Sequence, residues 1–193
     1  LKNVNVKIPK GVFVCITGVA GSGKSSLIHE EFCSLHPDAV VVDQSPAGRN
    51  IRSPPLTYTG IFDKIRKEFA AATGQNASLF SFNSEGACPE CNGNGIIKVD
   101  LSFLDDVTMT CPVCEGKRYK QYILDYKLKG KSIHDVMEMT AEEAYGWFKD
   151  TTVLNKVKLM KQVGLGYLKL GQPLSTLSGG EAQRIKLVSE LHK

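Results

Sequence analysis

The sequence predicts an α/β protein with a small cysteine-rich insert. A continuous apolar run at residues 12–16 leads into a glycine-rich segment, and apolar residues at helical spacing follow that segment. A short, wholly apolar run is typical of a strand that is buried on both faces. Two Cys-x-x-Cys pairs then interrupt the chain before it returns to helical patterns.

The composition is that of a globular chain. Hydrophobic residues make up 42% and charged residues 23% of the 193 residues, which excludes a disordered or collagen-like protein. No apolar run is long enough for a transmembrane helix, and residues 1–11 lack the apolar centre of a signal peptide, so we expect a cytoplasmic protein without a membrane partner. The net charge of +4 permits a nucleic-acid partner without requiring one.

The periodicity assigns the elements in order. Apolar alternation or apolar runs predict strands at residues 4–8, 12–16 and 39–42, and a strand-like stretch at 121–131. Apolar residues at helical spacing predict helices at residues 24–34, 57–73, 132–139, 140–150 and 152–163, and a last amphipathic helix after residue 180 with Ala182, Ile185, Val188 and Leu191 on one face.

The glycine-rich segment from Gly18 to Ser25 matches the phosphate-binding P-loop pattern in full. Its glycines allow successive backbone N–H groups to point at phosphate oxygens, and the next helix presents its N-terminus to the same anion. Lys24 can reach the β- and γ-phosphates, and the Ser25 hydroxyl can ligate Mg²⁺. A chance glycine-rich turn is the alternative, but the flanking strand and helix disfavour it. The candidate nucleotide-binding residues are Gly18, Gly21, Ser22, Gly23, Lys24, Ser25 and Ser26.

The four paired cysteines predict a structural zinc site. Nineteen residues separate the two Cys-x-x-Cys pairs, a spacing typical of four-cysteine zinc sites, and the ligands would be Cys88, Cys91, Cys111 and Cys114. A redox dithiol or two disulfides are the alternatives. Cys15 and Cys33 stand apart in apolar settings and are expected to be small buried hydrophobes.

Basic and aromatic residues alternate just after the second cysteine pair. Such a pattern suits phosphate contacts and stacking on bases, although a solvated edge strand guarded by lysines is an open alternative. The candidate nucleic-acid contacts are Lys117, Arg118, Tyr119 and Lys120.

A second candidate anion site opens the last helix. Ser178, Gly179, Gly180 and Glu181 form a glycine-containing turn at a helix N-terminus, where backbone N–H groups favour an anion. A simple N-capped helix, the alternative, would not need two glycines.

A P-loop combined with Leu-Ser-Gly-Gly-Glu resembles the ATP-binding-cassette (ABC) ATPases. The fuller set of motifs resembles the UvrA family, the damage-recognition ATPases of nucleotide excision repair, over nearly the whole chain and most closely in their C-terminal cassette. The residues that carry this resemblance are 42–46, 58–60, 80–83, both cysteine pairs, 116–119 and 177–184. Ala20 and residues 52–56 depart from the family pattern, and neither departure removes a phosphate ligand.

The resemblance implies an incomplete P-loop NTPase of ABC-ATPase type with an inserted helical signature domain that carries the zinc module. Residues 1–56 would belong to the ATP-binding domain and 57–193 to the signature domain, with the zinc module at about 83–120 and the signature at 177–183. Gln44 would be the catalytic Q-loop residue beside Lys24 and Ser25, and the signature would close over ATP held by another cassette. The implied cofactors are ATP, Mg²⁺ and Zn²⁺.

The resemblance also implies partners: double-stranded DNA, the other cassette of the parent protein, a homodimer of that parent, and a UvrB-type helicase bound outside this chain. A role in the SOS response would follow. The Walker B carboxylates and the switch histidine of such ATPases have no counterpart here, so the chain alone is expected to lack turnover.

Three alternatives remain open at this stage. A UvrA-like drug-resistance ATPase would share the same motifs. A compact P-loop NTPase or kinase would use Asp43 as its Mg²⁺ helper. A zinc-stabilised nucleic-acid-binding module would keep its P-loop only as a relic.

Overall fold

The computed structural model describes residues 4–43, 45, 53–99 and 107–191. The chain divides into two compact units, Leu1–Asp43 and Gln44–Lys193. Leu56 belongs to the second unit: its side chain is buried, and its backbone N–H donates to the Leu170 carbonyl at 3.1 Å. The domain boundary expected at residue 56 stays a prediction.

One helix, α1, organises the first unit. It begins in the glycine-rich loop, runs through Ser26–Phe32 with π-helical hydrogen bonding, and ends in an α-helical turn at Cys33–Leu35. This confirms the helix predicted at residues 24–34. Its apolar face and the N-terminal segment line an open cavity of about 370 Å³, whose lining includes Val4, Val6, Ile8, Leu27 and Phe32.

The three strands predicted in the first unit are not found. None of the described residues at 4–8, 12–16 or 39–42 lies in a strand, and the side chain of Phe13 is 95% exposed. A strand needs the backbone hydrogen bonds of a neighbouring strand, and no described segment of this unit supplies them. The apolar runs therefore stay uncovered in the structure, although their composition suits a sheet.

The second unit is mainly helical, and its helix predictions are largely confirmed. The predicted helix at 57–73 is divided by Gly60, whose φ of 77° ends the first segment, and Gly74 closes the second with a φ of 69°. The helices are α2 (Pro55–Tyr58), α3 (Phe62–Thr73), α4 (Ile133–Glu138), α5 (Ala141–Trp147), α6 (Thr151–Gln162) and α7 (Gly179–Glu190).

Polar side chains fix where these helices begin. Thr140 caps α5 and forms a capping box with Glu143, and Ser132 caps α4 in the same way with Asp135. Asp150 caps α6 by accepting a hydrogen bond from the Val153 N–H at 3.0 Å. Each cap satisfies backbone donors that the first turn of a helix leaves without partners.

An aromatic cluster forms the centre of the second unit. The ring of Phe82 stacks on Phe62 at a centroid distance of 5.2 Å and meets Tyr119 edge-on at 6.1 Å. Phe69 packs on Phe80 at 5.2 Å. Because Phe62 and Phe69 belong to α3, this cluster attaches that helix to the segments on either side of the cysteine-rich module.

Helices α6 and α7 lie antiparallel and are joined by two cations. The buried Lys156 of α6 donates to the Val188 and Ser189 carbonyls, each at 3.1 Å. In the opposite sense, Arg184 of α7 donates from Nη1 to the Val163 carbonyl, at 3.2 Å, just after α6 ends. A cation at a helix C-terminus is favourable because it meets carbonyls that lack helical partners. We call these two contacts the α6–α7 clamp.

Two details of the second unit differ from the predictions. Residues 121–131 do not form a strand: Gln121–Asp125 is a 3₁₀ turn that buries the neighbouring Ile123 and Leu124 side chains, which an alternating strand could not place on one face. Leu191 is 57% exposed, so it does not continue the buried face of α7 formed by Ala182, Ile185 and Val188.

Close backbone packing makes one glycine indispensable to the fold. A Cβ at Gly86 would lie 1.9 Å from the Leu79 carbonyl oxygen, whereas a Cβ at the exposed Gly146 of α5 would meet nothing within 4 Å. We expect Gly86→Ala to lower the free energy of unfolding by at least about 2 kcal/mol. Gly146→Ala should be stabilising by up to about 1 kcal/mol, because alanine favours helix.

Urea denaturation followed by circular dichroism measures both variants. Equal stability of Gly86→Ala and the wild type would contradict this account of the packing around Gly86.

Candidate functional site

The four predicted cysteines meet in one buried cluster. The sulfur atoms of Cys88, Cys91, Cys111 and Cys114 all lie within 4.8 Å of one another, and all four thiols are free. Cys88 and Cys111 are 4.0 Å apart at Sγ, and Cys91 and Cys114 are 3.6 Å apart. Both separations are too long for disulfides. They approach the edge of a tetrahedron with metal–sulfur bonds of about 2.3 Å, roughly 3.8 Å.

Two similar turns bring the cysteine pairs together. After each second cysteine, two residues take left-handed conformations: Asn92 and Gly93 with φ of 49° and 74°, and Glu115 and Gly116 with φ of 51° and 81°. Gly93 also admits no side chain, since a Cβ there would lie 1.7 Å from the Phe82 carbonyl oxygen. These turns wrap the backbone under the sulfur atoms.

An antiparallel hairpin links the two turns. Strands β1 (Ile96–Val99) and β2 (Val107–Thr110) pair with Ile96 opposite Thr110. The Cys111 N–H donates to the Gly95 carbonyl at 2.9 Å, and the Cys88 N–H donates to the Arg118 carbonyl at the same distance. The backbone therefore ties each cysteine pair to the other, which fixes the arrangement of the four sulfur atoms.

The chemistry of the four thiols fits a soft divalent cation. Burial raises the pKa of Cys91, and it raises the pKa of Cys114 to about 12. Without a cation, burial therefore favours the protonated form of these two thiols. Zn²⁺ would stabilise the thiolates and close the set of four ligands, so the donor set suits a structural zinc ion.

Two of the predicted nucleic-acid contacts lie inside the protein. The Arg118 side chain donates from Nε to the Gly93 carbonyl at 2.7 Å, and its guanidinium carbon lies 3.7 Å from the centroid of the Phe82 ring. Tyr119 is 1% exposed, and its hydroxyl donates to the Phe80 carbonyl at 3.1 Å. This corrects the exposed position expected for both residues: cation–π and aromatic packing attach the cysteine module to the core.

The other two basic candidates remain at the surface. Lys117 pairs with Glu115 at 2.8 Å, and Lys120 is partly exposed. Tyr122, two residues further on, is 50% exposed.

Two glycines of the predicted P-loop take left-handed backbone conformations. Gly21 and Gly23 take φ of 77° and 85°, and a Cβ at Gly18 would lie 2.9 Å from Ser22 Oγ. Lys24 folds over the loop and donates to the Gly18 carbonyl at 2.9 Å and the Val19 carbonyl at 2.7 Å. Ser25 and Ser26 occupy the first turn of α1. Gln44, the predicted Q-loop residue, lies outside the described residues.

The second candidate anion site is a well-capped helix start. Ser178 caps α7, and its N–H and hydroxyl both donate to Glu181 Oε2, at 2.7 and 2.8 Å. A Cβ at Gly179 or Gly180 would meet nothing within 4 Å. The described part of the fold therefore gives no steric reason for these two glycines.

Tyr167 is a residue near this site that the sequence analysis missed. Its hydroxyl donates to Glu181 Oε1, and this hydrogen bond is the first cause of the lowered pKa of the Glu181 carboxyl. The two residues are fourteen positions apart in the sequence, and no local motif marks the contact.

Comparisons with known proteins extend over the whole chain. It is 49% identical to UvrABC system protein A of Aquifex aeolicus over 223 residues, which cover 100% of this chain and 24% of the relative. It is 47% identical to the protein of the same name from Thermus thermophilus over 221 residues, covering 99% and 23%. The crystal structure of UvrA2 from Deinococcus radiodurans superimposes with a TM-score of 0.81 and 44% identity, covering 91% of this chain and 24% of that one. No protein-family model matches.

The mixed helix–sheet fold of this chain is thus shared with part of a much longer protein. The chain is homologous to UvrA proteins over its whole length, as its motifs predicted, and spans about a quarter of the length of the relatives it matches. Across the described residues, no helix combines the length and apolar character that crossing a membrane requires.

Removal of the metal tests the cysteine cluster. We expect the chain to bind about one zinc ion, and Cys111→Ser to abolish tight binding and lower the melting temperature, because structural zinc is coupled to folding. Cys33→Ser is the matched control, since Cys33 lies in α1, outside the cluster. Metal analysis and thermal melting measure both effects. Zinc affinity should also fall as the pH falls, because protons compete for the thiolates.

An unchanged melting temperature after chelation that demonstrably removes the metal would contradict a structural role.

Proposed function

We propose that this chain is the ATP-, zinc- and DNA-binding part of a UvrA-like ABC ATPase that recognises DNA damage in nucleotide excision repair. One observation carries the proposal. Gly179 and Gly180 begin α7, and a Cβ at either position would meet no atom within 4 Å. The two glycines lie at a helix N-terminus, where backbone N–H groups lack helical partners, so a ligand that approaches these N–H groups closely would explain them. Gly146 is equally unobstructed, but it lies beyond the first turn of α5 and offers no such donors.

The nucleotide would be held by residues of both kinds of site. The P-loop N–H groups and Lys24 would bind the phosphates of one ATP, and the Ser25 hydroxyl would ligate its Mg²⁺. Ser178 and the N–H groups that follow it would contact an ATP held by another cassette. Gln44 would sense the γ-phosphate. Magnesium would neutralise charge on the phosphates, while the chain supplies orientation and hydrogen-bond donors.

The zinc ion would have a structural role. All four ligands are buried and close the coordination shell, which leaves no position for substrate. Its contribution to function would be to fix the surface that carries Lys117, Lys120 and Tyr122. We propose this surface as the contact with double-stranded DNA, because exposed cations and an exposed ring suit phosphates and bases.

The proposed assembly extends beyond this chain. A second cassette would complete each ATP site, the parent protein would form a homodimer, and a UvrB-type helicase would bind elsewhere. Repair of damaged DNA is favoured over the drug-resistance alternative because the matched curated relatives carry the name UvrABC system protein A.

The glycine-rich loop is tested with nucleotide. We expect the 193-residue chain to bind a fluorescent ATP analogue with Mg²⁺. Lys24→Ala should weaken binding at least about tenfold, since one charge-assisted contact to phosphate is lost. Lys10→Ala is the matched control, because Lys10 is exposed in the same unit. We also expect no ATP turnover above the Lys24→Ala level.

Turnover by the wild-type chain that both Lys24→Ala and Asp43→Asn abolish would contradict the cassette proposal. It would favour a self-sufficient NTPase that uses Asp43.

The signature is tested in the longest natural protein that contains this sequence. Gly180→Val should leave the melting temperature nearly unchanged, because a side chain there has open space, yet it should lower ATP turnover at least about tenfold by obstructing the phosphate. The same substitution at Gly146, also exposed and free of close neighbours, is the control and should keep wild-type turnover. Wild-type turnover in Gly180→Val would show that the α7 N-terminus does not meet the nucleotide.

A further inference from the structure

We propose that Tyr167 is a positioning residue for the signature: it retains the Glu181 carboxylate so that the Ser178 hydroxyl can turn to a phosphate oxygen. The inference rests on the proposed function and deepens it, because it assigns regulation of the same site to a residue outside the signature segment.

The hydrogen bonds at the start of α7 engage the Ser178 hydroxyl that would contact phosphate. The Ser178 hydroxyl donates its only proton to Glu181 Oε2 at 2.8 Å, and it accepts from the Glu181 N–H at 3.4 Å. Its proton is therefore committed to a carboxylate. To donate to phosphate, the hydroxyl must rotate away from Glu181, and the carboxylate must not follow it.

Tyr167 holds the far side of the same carboxylate. Its hydroxyl donates to Oε1, while Oε2 also accepts from the Ser178 N–H at 2.7 Å. When the Ser178 hydroxyl leaves, two donors on different segments still hold Glu181. Without the Tyr167 hydroxyl, only the Ser178 N–H would remain of these contacts, and the carboxylate could rotate toward the glycine N–H groups.

The charge of Glu181 makes this retention important. Its pKa is lowered by the Tyr167 hydroxyl first and then by the Ser178 N–H and hydroxyl, so the carboxyl is ionised at neutral pH. An anion that moves toward the N–H groups of Gly179 and Gly180 would repel phosphate and compete for the same donors. Arg184 also acts on Glu181 electrostatically, while its guanidinium donates hydrogen bonds to the Gly180 and Val163 carbonyls.

The surroundings of Tyr167 indicate that its hydroxyl forms the important contact, and that its ring does not serve to pack the core. Its side chain is 60% exposed, yet it sits on a firmly held turn. Leu165 and Leu168 on either side are buried, and the Gly166 and Leu168 carbonyls accept from the first two N–H groups of α5, at 2.8 and 3.0 Å. A rigid turn thus presents a large ring to solvent, with its hydroxyl aimed at the signature.

ATP kinetics of four forms of the longest natural protein that contains this sequence test the inference: wild type, Tyr167→Phe, Glu181→Gln and the double variant. The signature touches the triphosphate in both ground and transition states, so weaker contact should appear in KM. We expect Tyr167→Phe to raise KM for ATP by roughly three- to tenfold, with kcat within about twofold. In the Glu181→Gln background, which removes the charge, the same change should alter KM by less than about 1.5-fold.

Tyr145→Phe is the matched control, because it removes another exposed tyrosine hydroxyl whose ring lies in α5, and it should leave KM at the wild-type value. Thermal melting of each variant accompanies the kinetics. If Tyr167→Phe raised KM equally in the Glu181→Gln background, Tyr167 would have a merely structural role and the inference would be overturned. An unchanged KM in Tyr167→Phe alone would overturn it as well.

The outcomes separate the inference from the proposed function. The wild-type protein should hydrolyse ATP, and Lys24→Ala should abolish that turnover. If the wild type showed no such turnover, the proposed function would be overturned, and the inference with it. An active wild type whose KM does not depend on Tyr167 would overturn the inference alone.

Discussion

The cysteine cluster is the constraint on which the rest of the second unit depends. Four buried thiols can lie together as thiolates only around a cation, and the hairpin and its flanking backbone hydrogen bonds link the two turns that carry them. Arg118 connects the cysteine cluster to the core. Its side chain donates a hydrogen bond to the Gly93 carbonyl, and its guanidinium lies over the ring of Phe82. The ring of Phe82 in turn packs on α3 through Phe62. A disturbance at the cysteine cluster would therefore reach the aromatic core within two contacts.

In the proposed function, one set of hydrogen bonds at the start of α7 would serve both folding and nucleotide binding. The capping box of Ser178 and Glu181 stabilises the start of α7 by the same contacts that commit the serine proton. A helix that must later offer its N-terminus to phosphate cannot use a cap that is too strong, and it cannot do without one. The Tyr167 hydroxyl would meet both requirements, because Glu181 would keep its hydrogen bonds to Tyr167 and to the Ser178 N–H when the serine hydroxyl turns away.

Local signals made much of this molecule predictable. The P-loop, the cysteine pairs and the Thr140 capping box each depend on residues close in sequence, and the structure shows the four cysteines together and the cap in place. The failures arose where partners are distant. The apolar run at 12–16 needs neighbouring strands, and the described residues contain none to cover it. Arg118 and Tyr119 carry polar groups that favour the surface, yet Gly93 and Phe80 offer carbonyls to them inside the protein. The contact of Tyr167 with Glu181 joins two segments that no periodicity links.

The α6–α7 clamp has a mechanical consequence. Lys156 and Arg184 each donate hydrogen bonds to carbonyls near the C-terminal end of the opposite helix. Sliding one helix along the other would therefore break both sets of hydrogen bonds at once. Separating the helices would leave a buried ammonium without its carbonyls, which is costly. The two helices should therefore move together. A displacement of α7 would then be transmitted to α6, whose N-terminus Asp150 caps. Because the helices are coupled in this way, a small movement of one helix would displace the surface that both helices form.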